Sequence, residues 1–217
     1  MMTNIRDTLE TLKQNQLVCN PEKCVFAVSQ IQYLGFEVGP DGIRVSNDKI
    51  KIIKALQPPK DKKSLQRTLG FFNFWRRFIP YYAKRTFNLR TLLHNDVEYK
   101  WSPECQEEWQ YIKDTLSSAP VLAPIDPNKD FVVWCDGSGH GLGWAILQFS
   151  DIDGQLHPIS YGAQACTPAQ RRWTASALEI CALACALRSF EQYMVHKNVT
   201  VLTDSISVLH LQKLQLA

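Results

Sequence analysis

The chain has 217 residues, 45% of them hydrophobic, and a formal net charge of +3. This length and composition suffice for one sizeable buried core or two small ones. No apolar run reaches the roughly eighteen residues that span a bilayer, and the opening MMTNIRDTLE lacks the apolar core of a secretory signal. These features exclude a membrane partner and predict an intracellular protein.

The cysteine content argues against disulfides and zinc sites. Seven cysteines are scattered along the chain without paired spacing, and the five histidines are equally dispersed. Cys181 and Cys185 lie one helical turn apart in an apolar segment, which predicts that they fill a core. We expect neither a transition-metal site nor a small-molecule cofactor.

The charge is distributed unevenly. Between Arg44 and Lys100 there are 14 basic and 4 acidic residues, a net charge of +10, whereas the rest of the chain carries −7. A basic segment beside an acid-rich one indicates that a polyanion lies along the first and reacts at the second.

The first 45 residues predict a helix followed by strands. Apolar residues at helical spacing predict an amphipathic helix over residues 1–15. Strands are predicted over residues 24–28 and 31–38, and the Gly-Pro-Asp-Gly sequence at 39–42 predicts a turn before a third strand at 43–45.

Residues 46–118 predict helices. One helix runs to about residue 56, a second covers residues 61–78, and a shorter one follows within residues 81–94. Ser102 and Pro103 predict the N-cap and first position of a further helix that ends near residue 116.

Aromatic and basic side chains are interleaved in this region, as on surfaces that follow a nucleic-acid backbone. The helical spacing of the aromatic residues indicates that they are core. The basic residues either line a solvated face or contact phosphates, and we predict phosphate contact for five of them: Lys62, Lys63, Arg67, Arg76 and Arg77.

After a proline-rich connector at 119–129, where we place a domain boundary, the pattern changes to strands. Strands at 131–135 and 142–147 flank a glycine-rich bend that carries Asp136. A third strand at 158–161 and a helix beginning at Thr167 and carrying Glu179 follow. A strand at 199–203 then ends next to Asp204, and residues 205–217 predict a final helix.

The three acids Asp136, Glu179 and Asp204 come from separate elements. Asp136 could simply cap a turn at a strand end. If the three converge, their mutual repulsion requires cations between them, and hard ions such as Mg²⁺ are held in this way. Two such ions could clamp the attacking and leaving oxygens of a phosphodiester.

The runs WSPECQEEW, FVVWCDGS, TASALEICALA and VTVLTDS resemble the ribonuclease H region of gypsy-type LTR retrotransposon reverse transcriptases. LGFFNFWRRFIPYYA resembles the thumb of that family, and NPEKCVFAVSQIQYLGFEVGPDGIRV resembles the end of its palm, with the hairpin that grips the primer. Where the family usually has Asp-Ala-Ser and Thr-Asp-His, this chain has Asp136-Gly137-Ser138 and Thr203-Asp204-Ser205.

The resemblance implies an α/β (α+β) chain in three parts. Residues 1–45 would end the palm, residues 46–118 would form a helical thumb, and residues 119–217 would form an incomplete ribonuclease H-like mixed sheet with helices. Asp136, Glu179 and Asp204 fall on the family's catalytic acids, which hydrolyse the RNA strand of RNA–DNA hybrids with two Mg²⁺ or Mn²⁺ ions. Ser138 is a candidate for contact with the nucleic acid.

Other family parts are missing from the sequence. It has no Tyr-X-Asp-Asp turn, so we expect no polymerase activity, and it does not reach the family's fourth acid. We therefore expect weak cleavage or none by this chain alone, with the rest of a Pol polyprotein as a possible partner and a virus-like particle or the nucleus as its location. The alternative is a catalytically inactive nucleic-acid-binding or structural remnant.

The +10 segment yields a first prediction. Duplex nucleic acids should bind without sequence preference, and if about six phosphates are contacted, raising salt from about 50 to 200 mM should weaken affinity about a thousandfold. Exchanging Arg76 and Arg77 for Glu should weaken binding to every sequence. Fluorescence anisotropy over a salt series measures this, and a salt-independent affinity would contradict the phosphate contacts.

Overall fold

The computed structural model describes residues 2–118 and 121–203. Asp204 and the helix expected over residues 205–217 lie outside this part of the chain. The architecture confirms the α/β (α+β) class, since helices accompany one three-stranded antiparallel sheet and one four-stranded mixed sheet.

The N-terminal part contains helix α1 and the smaller sheet. The helix (Met2–Gln14) confirms the amphipathic helix predicted over residues 1–15. The sheet has the order β1-β2-β3, and its strands are β1 (Ile31–Tyr33), β2 (Phe36–Gly39) and β3 (Gly42–Val45). Gly39 pairs with Gly42 across the predicted turn at residues 39–42, which is therefore confirmed.

Two strand predictions in this region are wrong. Residues 24–28 form no strand, because Ala27 has a positive φ of 53° and the flanking apolar side chains are exposed. The strand expected over 31–38 is split in two. Leu34 and Gly35 take φ values of 52° and 85°, the left-handed pair that closes a two-residue hairpin between β1 and β2.

Four helices follow the smaller sheet: α2 (Asn47–Ala55), α3 (Lys62–Phe74), α4 (Phe87–Thr91) and α5 (Pro103–Ser117). Asp61 caps α3 through a reciprocal capping box with Ser64, and the backbone hydrogen bond from Ser64 lowers the pKa of Asp61. At α5 the Ser102 hydroxyl accepts the Cys105 N–H at 3.3 Å, so the predicted cap is confirmed.

Helix α3 is shorter than the predicted 61–78. It ends at Phe74, and residues Arg76–Phe78 form a 3-10 turn instead. Ile79 is extended because it precedes Pro80, so a regular helix cannot continue into this segment.

A core of aromatic side chains joins these helices. Phe72, Trp75 and Phe78 are buried together with Trp109 of α5, which confirms that most of the interleaved aromatic residues are core. Phe74 is an exception at 51% exposure. Tyr82 donates a buried hydrogen bond to the Leu69 carbonyl, and burial raises its pKa to about 12, so the hydroxyl stays protonated.

The larger sheet has the order β6-β5-β4-β7. Strands β4 and β7 are parallel and the other pairs are antiparallel. Its strands are β4 (Phe131–Ser138), β5 (Gly141–Phe149), β6 (Leu156–Gln164) and β7 (Val199–Leu202), and helix α6 (Ala175–Met194) packs on one face. β6 extends beyond the predicted residues 158–161 in both directions because it pairs with nearly all of β5.

The predicted start of the long helix at Thr167 is wrong. Residues Gln170–Arg172 form a 3-10 turn, and Trp173 is extended. Helix α6 begins after Thr174, whose hydroxyl accepts the Ala177 N–H at 3.3 Å. A good capping residue therefore lies seven positions later than the sequence pattern indicated.

The two halves contact each other along β6 and the connector. Tyr161 and Ala163 of β6 pack against the aromatic core, and Ile43 of β3 bonds reciprocally to Leu122. The domain boundary predicted within residues 119–129 stays a prediction. Among the described helices, none is long and apolar enough to cross a membrane.

The contact between α4 and α5 yields a second prediction. The Glu108 carboxylate accepts hydrogen bonds from the Asn88 backbone and side-chain amides and from the Leu89 N–H, at 2.9–3.0 Å. It therefore caps α4 from another helix. Replacing Glu108 with Ala should lower the free energy of unfolding by about 1–2 kcal/mol.

Exposed Glu107 on the same helix gives a matched control. Its replacement by Ala should change stability by less than about 0.5 kcal/mol. Urea unfolding followed by tryptophan fluorescence measures both variants. Equal effects of the two substitutions would show that the Glu108 hydrogen bonds do not stabilise the fold.

Candidate active site

Asp136 lies inside strand β4. The sequence placed it at the bend after the strand, and this prediction is wrong, because β4 continues to Ser138. Asp136 pairs with Gly143 of β5, and the turn itself is formed by residues 139–140. The half-buried carboxylate is thus fixed by a regular ladder on a central strand of the sheet.

Gly137 is the position at which helix α6 contacts this strand. A Cβ atom built on Gly137 would lie 2.4 Å from the Leu178 carbonyl carbon and 2.7 Å from the Glu179 nitrogen. Only a residue without a side chain permits this approach. The contact places the backbone of Glu179 beside the residue that follows Asp136, so the structure brings these two elements together.

The Glu179 side chain is half-buried, and its Oε2 atom is buried with no hydrogen-bond partner among the described residues. Burying an unpaired carboxylate oxygen is costly. The oxygen fits a cation or a donor that comes from outside the described part of the chain. The unpartnered Oε2 atom therefore makes Glu179 a candidate metal ligand.

The third predicted acid, Asp204, lies outside the described residues. Strand β7 runs parallel to β4 and ends at Leu202, which pairs with Trp134. In the sequence, Asp136 and Asp204 each follow these paired residues by two positions. Within residues 2–118 and 121–203, no group of three or more His, Cys, Asp and Glu side chains could hold a metal. The three-acid site therefore stays a prediction.

Ser138 ends β4 at the hairpin. Its hydroxyl donates a long hydrogen bond of 3.4 Å to the Gly141 carbonyl, and its own carbonyl accepts from the Cys166 thiol at 3.2 Å. Burial raises the pKa of Cys166, so this thiol remains a donor. These two hydrogen bonds hold Ser138 at the end of β4. Its contact with nucleic acid stays a prediction.

The five predicted phosphate contacts differ in their surroundings. Lys63, Arg67 and Arg76 are exposed. The Lys62 ammonium donates to the His94 carbonyl and so joins α3 to the segment after α4. Arg77 is half-buried, and burial lowers its pKa. All five stay predictions as nucleic-acid contacts.

The sequence analysis missed a contact between the β4–β5 turn and α4. His140 meets the Phe87 ring edge-on, with 4.7 Å between ring centroids, and the Arg171 guanidinium lies 5.7 Å from the centre of the same ring. The only signal in the sequence was the basic pair Arg171-Arg172, which carries no information about a partner 84 residues earlier.

A mixed sheet with a long helix across one face defines a ribonuclease H-like domain. Residues 101–201 match the family described as the RNase H-like domain found in reverse transcriptase. Residues 101–201 thus form a domain of this family, and the chain is similar to the reverse transcriptase and ribonuclease H region of retrotransposon polyproteins, so the resemblance seen in the sequence is confirmed.

The relatives and similar structures agree with this assignment. The Tf2-3 and Tf2-4 polyproteins of Schizosaccharomyces pombe are each 30% identical over 191 residues, which is 88% of this chain and 14% of theirs. The foamy viral protease–reverse transcriptase in complex with double-stranded DNA superposes with a TM-score of 0.74 at 22% identity. That superposition covers 98% of this chain and 37% of the viral chain.

The same viral protein in complex with an RNA/DNA hybrid gives a TM-score of 0.70 at 25% identity. Here 90% of this chain and 26% of the viral chain are covered. The chain thus spans 14% of the curated polyproteins that it matches.

The contact at Gly137 yields a third prediction. Exchanging Gly137 for Ala should lower the free energy of unfolding by about 2–3 kcal/mol, because the new methyl group overlaps the α6 backbone. Gly139→Ala is the matched control: a Cβ there would lie 3.8 Å from its nearest neighbour, the Arg171 carbonyl oxygen. Its effect should stay within about 1 kcal/mol. Equal stability of the two variants in urea unfolding would contradict the close contact.

Proposed function

We propose that this chain binds RNA–DNA hybrids and that Asp136, Glu179 and Asp204 form the acid site that hydrolyses the RNA strand. The observation that carries the proposal is the buried, unpartnered Oε2 of Glu179, a residue whose backbone packs against Gly137, next to Asp136. A buried carboxylate oxygen without a partner destabilises the fold, whereas a bound cation would compensate for its lost hydration.

The donor set fits hard divalent cations. Carboxylate oxygens are the ligands that Mg²⁺ and Mn²⁺ accept, and the cysteines near α6 are not needed for them. Two bound ions would activate water and neutralise charge at the scissile phosphate. Asp136 and Glu179 would hold them, together with Asp204 if the parallel pairing of β4 with β7 continues past Leu202.

The contribution of the chain itself is rigid placement. Asp136 is held on β4 by its pairing with Gly143 of β5, and the backbone of Glu179 is held by the close packing of α6 on Gly137. Sites built on strands and helices hold their geometry better than sites on loops. Ser138, one residue beyond the contact, would lie against the hybrid backbone.

Two observations support a nucleic-acid substrate: the positive charge of the helical segment and the similarity to a structure solved with an RNA/DNA hybrid. The +10 segment from Arg44 to Lys100 contacts the sheet that carries Asp136, so a bound polyanion can reach both. A solved structure 25% identical to this chain is a complex with an RNA/DNA hybrid. Since the matched relatives are polyproteins, we propose that this segment acts within a longer polyprotein inside the cell, in a particle or in the nucleus.

A fourth prediction concerns metal-linked stability. If the acids share a site, repulsion between their negative charges destabilises the folded protein. Mg²⁺ should then raise the melting temperature, because it binds the folded state. Asp136→Asn should raise the melting temperature of the metal-free protein and remove the effect of Mg²⁺. Glu191→Gln, an exposed acid on α6, is the control and should leave both unchanged.

Differential scanning fluorimetry with EDTA or millimolar Mg²⁺ measures these shifts. A destabilised Asp136→Asn protein with an unchanged response to Mg²⁺ would assign Asp136 a structural role and reject the metal site.

A labelled RNA–DNA hybrid tests the reaction. RNA-strand cleavage should require Mg²⁺ or Mn²⁺ and fall to background with Asp136→Asn or Glu179→Gln, while the Glu191→Gln control remains active. The experiment should include this chain and a longer polyprotein segment. Tight hybrid binding without cleavage by either protein would favour the inactive nucleic-acid-binding remnant.

A further inference from the structure

A cleft of about 940 Å³ lies between the end of α3, the β5–β6 edge of the larger sheet and the C-terminal half of α6. Neither Asp136 nor Glu179 lines it. Cys185, its first lining residue on α6, lies six residues beyond Glu179, which is about 9 Å along the helix. The cleft is therefore distinct from the acid site.

Three arginines line this cleft: Arg76, Arg77 and Arg188. Its lining contains no carboxylate, and none of the three arginines forms an ion pair within the described part of the chain. The Nε atom of Arg77 is buried with no hydrogen-bond partner among these residues. Cationic groups held together without anions indicate that the ligand supplies negative charge.

Aromatic rings complete the wall of the cleft. Phe74 is 51% exposed and Tyr193 is 45% exposed, whereas Trp144 and Phe190 are half-buried. The rings of Phe190 and Tyr193 contact each other with 5.6 Å between centroids. Exposed rings beside arginines are the combination that binds single-stranded nucleic acid, because bases stack on the rings while the cations hold the phosphates.

We propose that this cleft binds an unpaired nucleic-acid strand. Its volume lies near the upper end of the range for pockets that hold drug-sized molecules, so it has room for a few nucleotides of one strand. Arg76, Arg77 and Arg188 contact successive phosphates, and Tyr193 and Phe74 stack on bases. The cleft gives the protein a second nucleic-acid site that works without metal.

Fluorescence anisotropy with the 217-residue chain in EDTA tests the proposal. One probe is a labelled DNA oligonucleotide of about eight nucleotides, within the usual site size. The other is a labelled RNA–DNA hybrid. Because Arg188 is exposed, its replacement by Gln should leave the fold intact, which a thermal melt checks. Arg188→Gln and Tyr193→Ala should each weaken oligonucleotide binding about tenfold and change hybrid binding by less than about twofold.

Arg172→Gln is the matched control, since this exposed arginine lies outside the cleft. It should leave oligonucleotide affinity unchanged. Equal effects of Arg172→Gln and Arg188→Gln would overturn the proposal, and so would equal weakening of both probes by Arg188→Gln. Competition by deoxythymidine monophosphate as effective as by the oligonucleotide would show a nucleotide pocket instead of a strand site. Because all arms exclude metal, absence of hybrid cleavage does not affect this outcome.

Discussion

The contact between helix α6 and strand β4 at Gly137 is the constraint on which the ribonuclease H-like part of this protein depends. The helix backbone takes the space that any side chain at Gly137 would occupy. The same helix continues the close packing with Ala182 and Ala186, both fully buried. As a result the backbone of Glu179 lies beside the residue that follows Asp136, and the buried Oε2 atom of Glu179 has no hydrogen-bond partner among the described residues. Burial of this unpaired carboxylate oxygen is unfavourable, and a bound cation would offset its cost.

The two cores meet along β6, where the basic helical segment contacts the sheet that carries Asp136. Tyr161 and Ala163 pack on the aromatic core of the helical segment, while Tyr81 approaches Gly143, the residue opposite Asp136, so closely that a Cβ there would lie 2.9 Å from its ring. The net positive segment is therefore held against the sheet that carries the acids. Half-burial of Arg77 lowers its pKa, and its buried Nε atom has no hydrogen-bond partner among the described residues.

Family membership and residue roles rest on different observations. The domain family follows from the match over residues 101–201, the similarity to retrotransposon polyproteins extends along 88% of the chain, and the superposition shows the fold. The proposed roles of individual residues rest on local geometry: the backbone of Glu179 packs against Gly137, next to Asp136, and neither acid lines the arginine-lined cleft.

The sequence alone determined what depends on neighbours in the chain. The cap at Ser102, the turn at residues 39–42 and the aromatic core all rest on local hydrogen bonds or helical spacing, and all are confirmed. Only the tertiary structure decided that β4 continues past Asp136, because strand length is set by pairing with β5. Pairing is also why the predicted strand over 31–38 folds back on itself at Leu34. The cleft at Arg188 joins segments more than a hundred residues apart, and no local pattern records such a distance.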